Sequence, residues 1–107
     1  MIGSEYPPST VHSVVRHLWD PRKERVNRAK HGVGFEEAMS ALRDPNRVTR
    51  IDLEHAEIEE RLLVVGYSYP GRLLAVVTAE TSPGTIRIIS ARRATKRERH
   101  AYETGSF

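Results

Sequence analysis

The spacing of apolar positions changes period along the chain and divides it into elements. Phe35, Ala38, Met39 and Leu42 recur at three- and four-residue steps, which predicts a helix with that stripe toward the core. From Val48 the step shortens to two. Val48 to Leu53 alternates as a strand, and the runs Arg61 to Ser68, Leu73 to Glu80 and Thr85 to Ala91 read as three more. Pro70-Gly71 and Pro83-Gly84 mark tight turns between them. Links this short require antiparallel neighbours, so the strands form a meander. After Ala91 the period becomes helical again. Thr95-Lys96-Arg97-Glu98 fits the capping box, in which the first side chain and the fourth satisfy each other's backbone N–H groups.

Upstream, Leu18-Trp19 reads as the end of a first strand. Asp20-Pro21 starts a helix, Asp as N-cap and Pro at the first position, and Gly32 stops it after His31. Val26 and Ala29 supply nearly all its apolar content, so it is expected on the surface with a narrow buried stripe. Gly34 is a tolerable cap for the next helix, with Glu37 three residues on, and Asp44-Pro45-Asn46 ends that helix. The expected fold class is α+β: two N-terminal helices, a four-stranded or slightly larger antiparallel meander sheet, and a C-terminal helix. Residues 1–17, with Pro7-Pro8, read as a partly irregular extension, and residues 18–107 as one domain. The helices bury one sheet face, and the other is left to a ligand or a partner.

Composition narrows the function without choosing it. The 107 residues are 38% hydrophobic and 29% charged, with no run near the ~18 apolar residues of a membrane span. No apolar h-region marks a signal peptide, and a cytoplasmic location is expected. The absence of cysteine rules out disulfides and thiolate metal sites. The net charge is +3 and the pI 9.6, so a basic face would attract nucleic acid or an acidic partner. His12, His17, His55 and His100 show no metal-ligand spacing, and no metal or cofactor is expected. Phosphate-binding loops and nucleophile-elbow motifs are missing as well.

Arginines carry the candidate chemistry. Arg87 interrupts a strand of isoleucines and by alternation points to the open face. Arg92 and Arg93 stand at a strand–helix joint, Arg72 leaves a turn, and Arg61 enters a strand. Antiparallel pairing brings strand entries beside strand exits, so some of these guanidiniums should converge. The planar guanidinium grips phosphate with two parallel hydrogen bonds and keeps its charge. Each also fits a surface charge paired with Glu59, Glu60 or Glu80. Lys30 and His31 end the first helix, where a cation suits the dipole and an imidazole can move a proton near neutral pH. Glu60 is a candidate to orient an arginine or act as base. Trp19 and Tyr102 can stack on bases, although packing explains both.

Taken together, Trp19-Asp20, Lys30-His31-Gly32-Val33, Phe35-Glu36-Glu37-Ala38, Asp44-Pro45, Glu60-Arg61, Gly71-Arg72-Leu73-Leu74, Arg87-Ile88-Ile89-Ser90-Ala91-Arg92 with Ala94, and Glu98-Arg99 with Tyr102-Glu103 resemble the BrnT toxins. The resemblance covers about residues 18 to 103 and departs at Gly34, where the family usually has serine. It implies a RelE-like ribonuclease toxin of a type II toxin–antitoxin system. RNA is then cleaved without metal by attack of its own 2′-hydroxyl, with arginine or lysine stabilising the charge on phosphorus. It further implies neutralisation by a BrnA-like antitoxin in a heterotetramer of two toxins and two antitoxins, with operator DNA bound only through the antitoxin. On this reading Arg72, Arg87, Arg92, Arg93, Lys30, His31 and Glu60 are the catalytic candidates, and Arg61, Arg97 and Tyr102 bind RNA. The competing reading is a non-catalytic module that holds nucleic acid or an acidic partner.

Overall fold

A computed structural model describes residues 15–53 and 60–107. Most of the proposed extension, and residues 54–59 with His55 and Glu59, lie outside the described residues. Within them the order is β1 (Arg16–Leu18), α1 (Pro21–His31), α2 (Phe35–Ala41), β2 (Val48–Ile51), β3 (Arg61–Tyr67), β4 (Leu73–Ser82), β5 (Thr85–Arg93) and α3 (Lys96–Thr104). None of these helices is long and apolar enough to cross a membrane.

The five strands lie in the order β1-β5-β4-β3-β2. Strands β2 to β5 form the expected antiparallel meander. The fifth strand departs from it: β1 pairs parallel with β5, Arg16 beside Thr85 through Leu18 beside Arg87. The sheet is therefore mixed, with the whole α1–β4 segment as the crossover between two parallel neighbours.

Each face of the sheet has its own core. On one, Leu74, Val76, Ile88 and Ala91 pack against Val33, Phe35, Ala38 and Ala41, with Trp19, Met39 and Leu42 at the margin. The rings of Trp19 and Phe35 meet edge-on at 6.2 Å. Helix α2 approaches β3 so closely that a Cβ at Gly66 would stand 2.5 Å from the Ala41 carbonyl oxygen, which makes glycine a packing requirement there. On the opposite face, Leu63, Val65, Leu73 and Ala75 pack with Val48 and Ala101, and Tyr102 leans on them. Helix α3 thus covers part of the face expected to be open.

Helix α1 corrects a second expectation. Val26 is 66% exposed and Ala29 is exposed too, while the buried residue is Asn27. Its carboxamide donates to the carbonyls of Val33 (2.9 Å) and Ala91 (2.8 Å) and accepts from the Ala91 N–H (3.1 Å). Strand β1 ends its pairing at Arg87, so beyond it β5 needs another partner for its edge. Asn27 supplies one, as a side-chain copy of a peptide group.

Caps follow the sequence closely. The Asp20 side chain accepts from the Arg22 N–H at 2.8 Å, and Gly32 closes α1 at φ 70° with its N–H on the Arg28 carbonyl. At α3 both capping-box bonds are present. At α2 Gly34 caps without a side chain; Glu24 of α1 accepts from the Phe35 N–H at 3.4 Å, while Glu37 is engaged elsewhere.

Candidate nucleic-acid interface

Strand register sorts the arginines onto two faces. Strand β5 stays paired with β4 through Arg93, which lies opposite Leu74, while Arg92 lies opposite Ala75. Consecutive strand residues point to opposite faces. The sequence pattern ends this strand at Ala91 and makes Arg92 and Arg93 a pair. The structure separates them: Arg92 shares the face of Ala75 and α3, and Arg93 shares the face of Leu74, α1 and α2.

On the α3 face, Arg61 of β3 and Arg87 of β5 flank the same residue, Ala79 of β4. Two interstrand spacings put their Cα atoms about 10 Å apart. Arg50 of β2, opposite Leu63 of β3, points the same way; its guanidinium lies 5.0 Å from the centre of the Phe107 ring, a cation–π contact. Further along β5, Ser90 and Arg92 continue this face. Val77 lies opposite Ser90 and Thr78 opposite Ile88, so Ile89 forms a bulge between Arg87 and Ser90. Arg92 holds Glu98 by a two-pronged contact, Nη1 to Oε1 at 2.8 Å and Nη2 to Oε2 at 2.9 Å. Burial by itself would raise the Glu98 pKa, but the Arg92 fork and the Thr95 N–H outweigh it and hold it below the ordinary carboxylate value.

Arg72 belongs to the helix-covered face. Its Nε donates to Glu37 Oε2 at 2.8 Å, Nη2 donates to Glu37 Oε1, and Nη2 also reaches the Gly32 carbonyl at 3.1 Å. The Ser68 hydroxyl donates to Glu37 Oε2 at 2.7 Å. The Arg72 hydrogen bonds, more than any other influence, hold the Glu37 pKa down, and Arg93 adds a smaller contribution through charge alone. Arg72 therefore ties α1 and α2 to the start of β4 and does not join Arg87. Sequence reasoning misses Glu37 as its partner because 35 residues separate them and no local spacing signals the pair.

Lys30 and His31 are exposed at the end of α1. They line a groove of about 550 Å³ between α1 and the edge of β5, together with Arg22, Lys23, Val26, Ile89 and Ser90. Glu60 is exposed immediately before β3, and Arg97 is exposed in the first turn of α3. Tyr102 donates its hydroxyl to Asp44 Oδ2 at 2.6 Å and meets Tyr67 edge-on at 5.2 Å. The Asp44 contact, with burial behind it, pushes its phenol up to about 12. Tyr102 thereby links α3 to the turn after α2. Among the described residues no group of three or more His, Asp or Glu side chains is arranged to hold a metal ion.

Arg50, Arg61, Arg87 and Arg92 thus share the sheet face that α3 covers in part, a basic patch of the kind that attracts a polyanion. The chain matches, over residues 19–98, the family model described as ribonuclease toxin, BrnT, of type II toxin–antitoxin systems. It belongs to that family. The 1.1 Å crystal structure of the Brucella abortus ribonuclease toxin BrnT has a similar fold, with a TM-score of 0.57 and 24% identity, covering 78% of this chain and 100% of that one. No curated protein matches the chain. Membership implies an antitoxin partner.

Proposed function

We propose that this chain is a metal-independent endoribonuclease whose substrate lies on the α3 face of the sheet. The observation that carries this reading is the register that sets Arg61 and Arg87 on either side of Ala79. Two arginines whose Cα atoms stand about 10 Å apart across a small residue leave room for one phosphate between their reaching side chains. The 2′-hydroxyl of the RNA attacks the adjacent phosphorus. The O2′–P bond forms, the P–O5′ bond breaks, and the 2′ proton ends on the departing O5′. Negative charge grows on the non-bridging oxygens, where Arg87 and Arg61 stabilise it. Arg92 lies roughly 15 Å further along β5 and meets a neighbouring phosphate. Glu60, exposed immediately before β3, is the candidate to take the 2′ proton and pass it to O5′. Arg72 and Arg93, on the helix-covered face, stand outside this chemistry. A BrnA-like antitoxin is the proposed inhibitor, in a complex of two toxins and two antitoxins that reaches operator DNA through the antitoxin.

The test uses purified chain freed of antitoxin, incubated with RNA in EDTA. Cleavage leaving 2′,3′-cyclic phosphate and 5′-hydroxyl ends is expected. Arg87→Ala should slow it at least about 100-fold, the scale of losing one donor to a developing oxyanion, in protein that circular dichroism shows to be folded. RNA binding without cleavage under any metal condition would overturn the enzyme in favour of a binding module.

A further inference from the structure

The groove between α1 and β5 is not used by the chemistry above. Its α1 wall carries Arg22, Lys23, Lys30 and His31. Nine residue steps separate the first from the last, about 13 Å along the helix. Successive phosphates of a stacked strand are ~3.4 Å apart along its axis, so this wall can meet more than one. The floor is Ile89, the bulged residue of β5, and the wall includes exposed Val26, which offers apolar surface to a ribose or a base. Among the described residues one carboxylate lines the groove, that of Asp20. It is occupied at the helix start, accepting from the Arg22 N–H at 2.8 Å with the Arg22 Nε 3.9 Å away.

Continuity decides the occupant. Ser90 lines the groove and also lies on the α3 face, between Arg87 and Arg92 along β5. The groove therefore opens onto the face that carries the arginine row. A single strand lying on that face can cross the edge of β5 at the bulge, where β1 no longer pairs, and continue along α1. An acidic protein segment would match the charge but not this continuity.

We infer that the α1–β5 groove is a backbone-binding extension of the RNA site, holding phosphates of a single-stranded substrate on one side of the scissile bond. The inference rests on the proposed function for the identity of the strand, and its test separates the two. Fully 2′-O-methylated RNAs of two to twelve nucleotides cannot undergo 2′ attack, so their binding is read independently of cleavage. Wild-type affinity should rise with length and level off once the groove is filled. In R22E/K23E, two exposed positions, the gain from the longer RNAs should fall at least about tenfold at low salt. The log–log salt slope should shrink by about 0.7 for each phosphate that the variant no longer neutralises. Cleavage of the shortest substrate that wild type cuts should be unchanged. If the charge reversal unfolds the chain, R22Q/K23Q gives the same readout with a smaller loss. Length-dependent affinity identical in wild type and variants would overturn the groove, as would competition by poly-glutamate equal to that of RNA at matched charge. Groove-dependent RNA binding with no cleavage by wild type would sustain the groove and remove the enzyme reading.

Discussion

The N-terminal helix pair and the C-terminal helix are fastened to the same sheet by contacts of different range. Helix α1 is held by Asn27, 64 residues from Ala91, and α2 by Glu37, 35 residues from Arg72. Helix α3 is held at its start by the Thr95–Glu98 box and by Arg92, six residues from Glu98. The two ion pairs are alike in chemistry, each a guanidinium engaging both oxygens of one carboxylate. They differ in what they close. Arg92–Glu98 joins a strand end to the next turn of chain, where little loop entropy is at stake. Arg72–Glu37 and the Asn27 contacts join segments that only the finished sheet brings together. The helix-covered face should therefore depend more on its polar anchors than the α3 face does.

Asn27→Ala is the strongest way to break that difference. It leaves two carbonyls and one N–H without their partner at a site where Asn27 is 7% exposed. A buried unsatisfied group costs roughly 1–3 kcal/mol, so a loss of about 3 kcal/mol is expected, read from the midpoint of urea unfolding. A loss below about 1 kcal/mol would show that water replaces the carboxamide. Glu37→Gln is next, at about 2 kcal/mol, because it removes charge-assisted bonds while keeping the shape. It also has a pH signature. Glu37 has its pKa lowered from 4.5 in the folded state, so its stabilisation is present above that ordinary value and is lost as pH falls through the folded value. The gap between wild type and Glu37→Gln should narrow steadily in acid, and a constant gap from pH 7 to pH 3 would contradict the assignment.

This same division of range explains which parts of the molecule the sequence discloses. The Thr95–Glu98 box, the Asp20-Pro21 start, the Gly32 stop and the proline–glycine turns each occupy a few consecutive residues, and the structure contains all of them. Alternation alone places Arg87 opposite the N-terminal helices. Asn27 escapes because a polar residue on a polar helix has the pattern of a solvated one; only the unpaired edge of β5 gives it a task. The parallel pairing of β1 is set by the whole crossover and leaves no local mark. Arg92 and Arg93 appear together while the strand is ended at Ala91, and two more paired residues put them on opposite faces. The candidate site is thus readable as a set of residue types, but its membership depends on register.

Tyr102 gives the smallest and most discriminating test, since with Arg99, whose Nη1 donates to the Tyr67 hydroxyl at 3.1 Å, it is one of the long-range anchors of a helix whose start is fastened locally. Its hydroxyl reaches Asp44, 58 residues away, and Asp44 also accepts the Tyr67 N–H at 2.8 Å. Losing one such bond at a half-buried site costs about 1 kcal/mol, so Tyr102→Phe should lower stability by that much at pH 7. Asp44 keeps the Tyr67 bond, which limits the damage. The alkaline side carries the sign. The phenol is raised from 10.0 to about 12 in the folded chain, so its stabilisation is complete below pH 10 and is lost as pH rises through about 12. Wild type should fall toward Tyr102→Phe across that window, measured by urea midpoints at pH 9, 10 and 11. If the two instead run parallel up to pH 11, Asp44 does not hold the phenol in its neutral form, and the polar fastening of α3 is left to its cap, the Arg92–Glu98 pair and the Arg99–Tyr67 contact.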